Sequence, residues 1–193
     1  MSEDLQALSA MMRKCTICEG LELGPKPIFK LSPNANILIA GQAPGRITHH
    51  KGRPFDDPSG ERLRAWLGID RPTFYDDDRI GIFPMGLCFP GSGKSGDIAP
   101  RAECVEAWRT RVMAQLEGIE LTLILGQYAI AWHLPHLKNK PVTEAVKLSA
   151  DGANGTFVLP HPSPRNNRWL RRNDWFEQEV IPQIQSEVAR LLA

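Results

Sequence analysis

Four short apolar runs punctuate the chain, at residues 36–41, 79–83, 121–125 and 156–160. None alternates apolar with polar as a half-exposed strand does. Continuous runs of this length, rich in Ile, Leu and Val, are what strands covered on both faces of a parallel sheet require. The stretches between them carry helical spacing instead. Leu5, Leu8, Met11 and Met12 predict a short leading helix that runs into Cys15. Residues 59–67 follow Pro58 and stop at Gly68, and residues 101–117 stop at Gly118, glycine being the permissive helix-ending residue. Residues 127–134 predict a shorter helix. From about 174 onward, Phe176, Val180, Ile181, Ile184, Val188, Leu191 and Leu192 form an apolar stripe, with Asn173 as N-cap and Pro182 set to kink or break the helix.

Strands alternating with helices predict a three-layer α/β/α sandwich around a four-stranded parallel sheet, because right-handed crossovers place helices on both faces. With 193 residues, one well-packed core is enough, so 1–193 is read as a single domain. The loop 84–100 is long and rich in Gly, Pro and Ser, which points to a functional loop or one held by a metal.

Charge changes the picture only locally. Lys and Arg number 23 against 22 Asp and Glu, so the molecule is no polycation and a nucleic-acid contact must come from clustering. Arg165, Arg168, Arg171 and Arg172, with Trp169 and Trp175 among them, form such a cluster. No stretch has the length of a membrane span, and residues 1–4 lack the basic-then-apolar layout of a secretory signal, so a cytoplasmic protein is expected. In that reducing compartment four cysteines argue against a disulfide scaffold, leaving a metal site or buried thiols.

The candidate chemistry sits where two of the apolar runs end. The first delivers Gly41-Gln42-Ala43-Pro44-Gly45 and the fourth delivers His161-Pro162-Ser163-Pro164-Arg165-Asn166 to the carboxyl edge of the sheet, where ligands bind in parallel α/β folds. Glycines permit close backbone approach, and Phe55 is either a flat apolar face for a ligand or an ordinary core aromatic. A histidine after a strand is often a satisfied structural residue; two prolines that make its loop rigid, with a basic residue behind, favour catalysis. Asp56 and Asp57 read either as caps for the helix that follows or, for Asp57, as a functional carboxylate. His49 and His50 are alternatives for activating water.

The stretch Gly41-Gln42-Ala43-Pro44-Gly45-Arg46-Ile47-Thr48-His49-His50-Lys51-Gly52-Arg53-Pro54-Phe55 resembles the first motif of the iron-sulfur (family four) uracil-DNA glycosylases, including the spacing to Gly-Arg-Pro-Phe. The segment 161–166 is similar to the insertion loop of the superfamily, closest to its single-strand-selective monofunctional branch. Cys15-Thr16-Ile17-Cys18, a long gap, then Cys88 and Cys104 with fifteen residues between them, resembles the four-cysteine ligand set of the cluster-bearing enzymes. Four thiolates suit a [4Fe-4S] cluster, ahead of a structural zinc on the family pattern, with free thiols as the remaining reading.

The resemblance implies a monomeric, monofunctional hydrolase that flips uracil or another deaminated base out of DNA and cuts its N-glycosidic bond. It assigns catalysis to His161, Gln42 and Asp57, and uracil binding to Gln42, Ala43, Phe55, Met85, Gly86 and His161. DNA contacts fall to Pro44, Gly45, Ser163, Arg165, Asn166 and Arg168, with Arg165 as the wedge that fills the vacated stack. The cluster ligands would be Cys15, Cys18, Cys88 and Cys104. The chain departs from the pattern at Gln42, where family four has Glu, at Thr48 and His49, where it has acids, and in residues 84–88, where it has an Asn. Ala43 stands where the classical enzymes have Asp. The resemblance therefore transfers no water-activating carboxylate. The alternative is a protein of the same fold that binds damaged or abasic DNA with little catalysis.

Overall fold

The computed structural model describes residues 4–94 and 96–193; Met1 to Glu3 and Ser95 of the loop 84–100 lie outside it. All four apolar runs are strands: β1 (Ile37–Ala40), β2 (Ile80–Ile82), β5 (Leu121–Leu125) and β6 (Thr156–Leu159). The intervening β3 (Ser92–Gly93) and β4 (Gly96–Asp97) make a small antiparallel hairpin inside the loop 84–100. The main sheet is parallel throughout, in the order β2-β1-β5-β6. Beyond β2, Lys30 closes the edge with a single antiparallel bridge to Ile82.

Helices cover both faces of this sheet. Along β1 the pleat sends Ile37 and Ile39 into one apolar cluster and Leu38 into another, all three essentially inaccessible to solvent. The first cluster takes Leu63, Trp66 and Leu67 of the helix Pro58–Leu67 and the stripe Val180, Ile181, Ile184, Val188 and Leu191. The second takes Leu5, Leu8 and Met12 of the helix Leu5–Arg13 together with Cys18, Cys104, Trp108 and Val112.

Two helix ends differ from expectation. The helix beginning at Ala102 passes through a π-helical stretch, Val105–Arg109, and ends at Met113 rather than running to Gly118. The wider π turn is where Trp108 and Arg109, adjacent in sequence, both enter the interior. Asn173 does not cap the last helix, because its side chain spans Trp169 O and Trp175 Nε1 instead. Pro182 does break that stripe, into the π-helical Phe176–Val180 and the α-helix Ile181–Leu191. Four short helices carry no strong periodicity in the sequence: Arg46–Lys51, Arg71–Asp76, Val142–Leu148 and Asn167–Arg172. Among the described residues no helix is long and apolar enough to cross a membrane.

From β1 the chain crosses to β2 on one side, whereas β5 and β6 extend the sheet on the other. That reversal opens a crevice at the carboxyl ends of the strands, the place where a doubly wound sheet receives its ligand.

Candidate active site

A cleft of about 710 Å³ opens at that edge. Gln42, Ala43, Pro44, Gly45, Phe55, Asp57, His161, Ser163, Arg165 and Asn166 all line it, so ten of the sequence-assigned positions meet in one place. The loop after β1 is fastened to the loop after β2: Met85 N–H donates to Gly41 O at 2.8 Å and Gly86 N–H to Gln42 O at 2.9 Å. Met85 is only 4% exposed, within the core. Met85 and Gly86 thus brace the first loop from behind and do not line the cleft, against their assignment to the uracil pocket. Gly86 has to be small, because a Cβ there would meet Pro100 Cβ at 2.9 Å and Ala43 Cβ at 3.4 Å.

Phe55 is half-buried at the cleft wall, packed edge-on against Phe74. Its backbone adopts φ 54°, a left-handed value that costs a bulky residue energy unless its surroundings impose it. Two contacts do so. The buried Arg64 donates Nη1–H to Phe55 O at 3.2 Å, and that carbonyl packs so tightly on Gly60 that a Cβ at 60 would overlap it. Asp57 follows as the true N-cap, its Oδ1 accepting Gly60 N–H at 2.9 Å while its Oδ2 accepts the Thr48 hydroxyl at 3.5 Å. The capping role of Asp57 is therefore observed, and the same carboxylate also lines the cleft.

His161 enters from the end of β6. Its Nδ1 accepts the backbone N–H of Ser163 at 3.2 Å, which puts the proton of the neutral ring on Nε2. Burial lowers its pKa; Asp57 and Asp97 oppose that shift and Arg165 adds to it. The imidazole is thus held neutral, with Nε2–H as its donor. Asn166 serves the loop itself, donating Nδ2–H to His161 O at 2.7 Å. Arg62, which sequence reasoning missed, ties the loop to the helix Pro58–Leu67 through Pro162 O (3.3 Å), Ser163 O (3.2 Å) and Asn167 Oδ1 (2.7 Å). One arginine on an amphipathic helix carries no signal of such a task.

The hairpin β3–β4 supplies a third wall that the sequence pointed to only through the length of its loop. Ser92, Gly96 and Asp97 line the cleft. A Cβ on Gly96, at φ 141°, would collide with Arg165 Nη1, so the exposed Arg165 side chain lies across the hairpin. Arg168 is exposed but outside the cleft. Trp169 and Trp175 of the same cluster pack on Phe176 rather than standing free, leaving Arg165, Arg168, Arg171 and Arg172 as its exposed charges. His49 and His50 also fall outside the cleft: His49 is 7% exposed against Phe89, and His50 faces solvent.

At the carboxyl end of β2 lies a buried cation that has no carboxylate partner among the described residues. Arg109, 1% exposed, donates Nη1–H to Phe83 O at 2.7 Å and Pro84 O at 3.2 Å, and its Nη2 meets His133 Nε2. The rings of Phe83 and Trp132 lie against the guanidinium at 4.6 and 4.9 Å. Burial, then Arg109, drives the His133 pKa down to about 3, so His133 is a neutral acceptor. Together the pair holds the carboxyl end of β2 and the start of the loop 84–100.

All four cysteines are free: Cys18 and Cys104 belong to the second apolar cluster, Cys15 packs against it, and Cys88 is buried. Burial, then Cys104, pushes the Cys18 thiol up to about 12, and burial pushes Cys88 up to about 11. Cys104 is also raised, by burial first and then by Cys88. The Cys88 sulfur accepts an N–H from Lys26 at 3.3 Å and the Cys15 sulfur accepts Trp108 Nε1–H at 3.3 Å, while a backbone hydrogen bond from Leu87 to Cys104 opposes part of its rise. Among the described residues, no three His, Cys, Asp or Glu side chains form a group that could hold a metal ion.

Residues 29–185 match the family model of the uracil DNA glycosylase superfamily. The chain is also similar to a solution NMR structure from Methanosarcina acetivorans described as a candidate uracil DNA glycosylase. The two are 17% identical with a TM-score of 0.48, covering 86% of this chain and 99% of that one. Since the matched region spans most of the chain and includes both motif loops, the chain belongs to the uracil DNA glycosylase superfamily.

Proposed function

We propose that this protein hydrolyses the N-glycosidic bond of a flipped-out uracil in DNA and leaves an abasic site. The observation that carries the reading is the His161 imidazole, neutral and fixed by Ser163 so that Nε2–H is its donor at the cleft. Cleavage builds negative charge on the departing base and positive charge on the sugar. A preorganised donor placed for the base is therefore worth more in the transition state than in the ground state. The Gln42 and Ala43 N–H groups, which find no protein acceptor among the described residues, are placed to hold base carbonyls. Phe55 supplies the stacking face, and Asp57 presents its negative charge to the sugar. Arg165 fills the gap left in the stack, which offsets part of the few kcal/mol that flipping costs. Pro44, Gly45 and Ser163 take the adjoining strand, with Arg168 a further contact on the outer face.

Cys15, Cys18, Cys88 and Cys104 are proposed to hold a [4Fe-4S] cluster. The cysteine spacing supports this reading, as do the N–H donors to the Cys88 and Cys15 sulfurs, which are what tune such centres; burial keeps Cys18, Cys88 and Cys104 as thiols unless a cationic centre stabilises their thiolates. The cluster would join the segment after the first helix to the loop 84–100 and to the helix bearing Cys104. Anaerobically purified protein is expected to be brown and to contain iron and acid-labile sulfide; protein free of iron overturns the assignment. A monomer acting in the cytoplasm completes the reading.

The test is incubation with oligonucleotides with and without uracil, single- and double-stranded, followed by alkaline scission. Scission at uracil alone supports the proposal. Retardation of damaged or abasic DNA without scission favours the binding protein, a reading motivated by Gln42 at the position where family four has Glu.

A further inference from the structure

The cleft holds two carboxylates, and they are not equivalent. Asp57 has partners at both oxygens: Oδ1 caps the helix by accepting Gly60 N–H, and Oδ2 lies 3.5 Å from the Thr48 hydroxyl. Asp97, on β4, is exposed, lines the same cleft, and its side chain accepts no hydrogen bond and joins no ion pair among the described residues. Its Oδ2 lies beside the first motif loop, 3.4 Å from where a Cβ on Gly45 would sit. It also acts on His161 across the cleft, favouring the charged imidazole. The hairpin that carries it does not depend on its side chain. Ser92 N–H donates to Glu22 Oε2 at 3.1 Å, Ile98 N–H to Gly91 O at 3.0 Å, and Arg46 pairs with Glu22 at 2.5 Å. An unpaired carboxylate held by a braced hairpin between Gly45 and Arg165 is a group with no structural task.

We propose that Asp97 is the general base that activates water in this cleft, an inference that rests on the excision reaction proposed above. As the bond between sugar C1′ and the base nitrogen breaks, its electron pair leaves with the base. The resulting anion is held by His161 Nε2–H and later takes a proton from solvent. The water oxygen bonds to C1′ and gives its proton to the Asp97 carboxylate, which releases it to bulk. Asp57, committed to the cap, contributes charge but not proton transfer. The loop 84–100 thereby supplies a carboxylate that Gln42 and Ala43 lack.

The experiment compares single-turnover excision of uracil from a single-stranded oligonucleotide by the wild-type protein, Asp97→Asn and Asp97→Ala, with abasic-DNA affinity measured in parallel. Loss of a positioned general base is expected to slow Asp97→Asn by about 10²-fold or more, with affinity kept within about threefold. Added formate should restore part of the rate to Asp97→Ala, which a purely structural role would not allow. An Asp97→Asn rate within about threefold of wild type, or a rate loss matched by an equal loss of affinity, or no rescue by formate, overturns the proposal. A wild-type protein that leaves uracil in place overturns the excision reaction itself and this inference with it, an outcome distinct from an active wild type with an active variant.

Discussion

The two edges of the one parallel sheet are built from similar residues and end in opposite chemical states. At the amino edge, Arg79 grips Asp77 through two hydrogen bonds and reaches Leu191 O, Leu192 O and Ala193 O. Nearby, Arg190 joins Glu120 and Glu187 around a concavity of about 520 Å³. Most of the charge there is answered by a neighbour. At the carboxyl edge the donors and carboxylates of His161, Gln42 and Asp97 face an open cleft, and the spent hydrogen bonds lie one layer behind, in Arg62, Arg64 and Arg109. Saturated polar groups hold a fold together; unsaturated ones on a braced frame have binding energy left for a ligand.

If that contrast is right, the largest loss follows from His161→Ala. Single-turnover excision should fall by about 10²-fold to 10³-fold, as for the loss of one oxyanion donor, with DNA affinity nearly intact. An unchanged rate would move the chemistry away from this loop. Acid should open the carboxyl edge next. His133 titrates near 6.5 when unfolded and near 3 in the fold, so the unfolded chain binds more protons between those values. Stability is then full above about pH 6.5 and declines as pH falls toward about 3, a loss of about 2 kcal/mol by pH 5. Urea midpoints at pH 7 and 5 measure this, and His133→Gln should flatten the slope.

At the amino edge the sign of the readout reverses. Arg79→Ala is expected to lower the urea midpoint through lost charge-assisted hydrogen bonds, while leaving the excision rate unchanged. A rate loss without a stability loss would contradict the division between edges. Arg165→Ala should reduce excision from duplex DNA about tenfold more than from single strands, where unstacking costs less; equal losses would reject the wedge. Smallest of all, Glu120→Gln breaks only an exposed pair and should shift stability by less than about 0.5 kcal/mol, as thermal melts would show.

Strands, loops and site were legible in the sequence to different degrees, for local reasons. Buried parallel strands announce themselves as unbroken apolar runs, and all four strands lie within the predicted stretches. The helix Pro58–Leu67 was readable at both ends because its cap, Asp57, and its stop, Gly68 at φ 67°, act through adjacent residues. The helix toward Gly118 was misread because a glycine marks an end only when the chain turns left-handed there, and no positive φ occurs at Gly118. Short helices such as Arg46–Lys51 escaped because six residues hold less than two turns of pattern.

What the sequence determined by itself was the sheet, the two loops at its carboxyl edge and most of the cleft lining. Each of these depends on residues a few positions apart, and strand direction alone decides which loops share an edge. Only the tertiary structure decided which groups brace and which face the ligand. Met85 turned inward, Arg62 and Arg109 became clamps, and Asp97 arrived on a hairpin some fifty residues from the loop it faces. Those outcomes depend on distances across the fold, and a side chain's sequence neighbours do not show whether its hydrogen bonds are already spent.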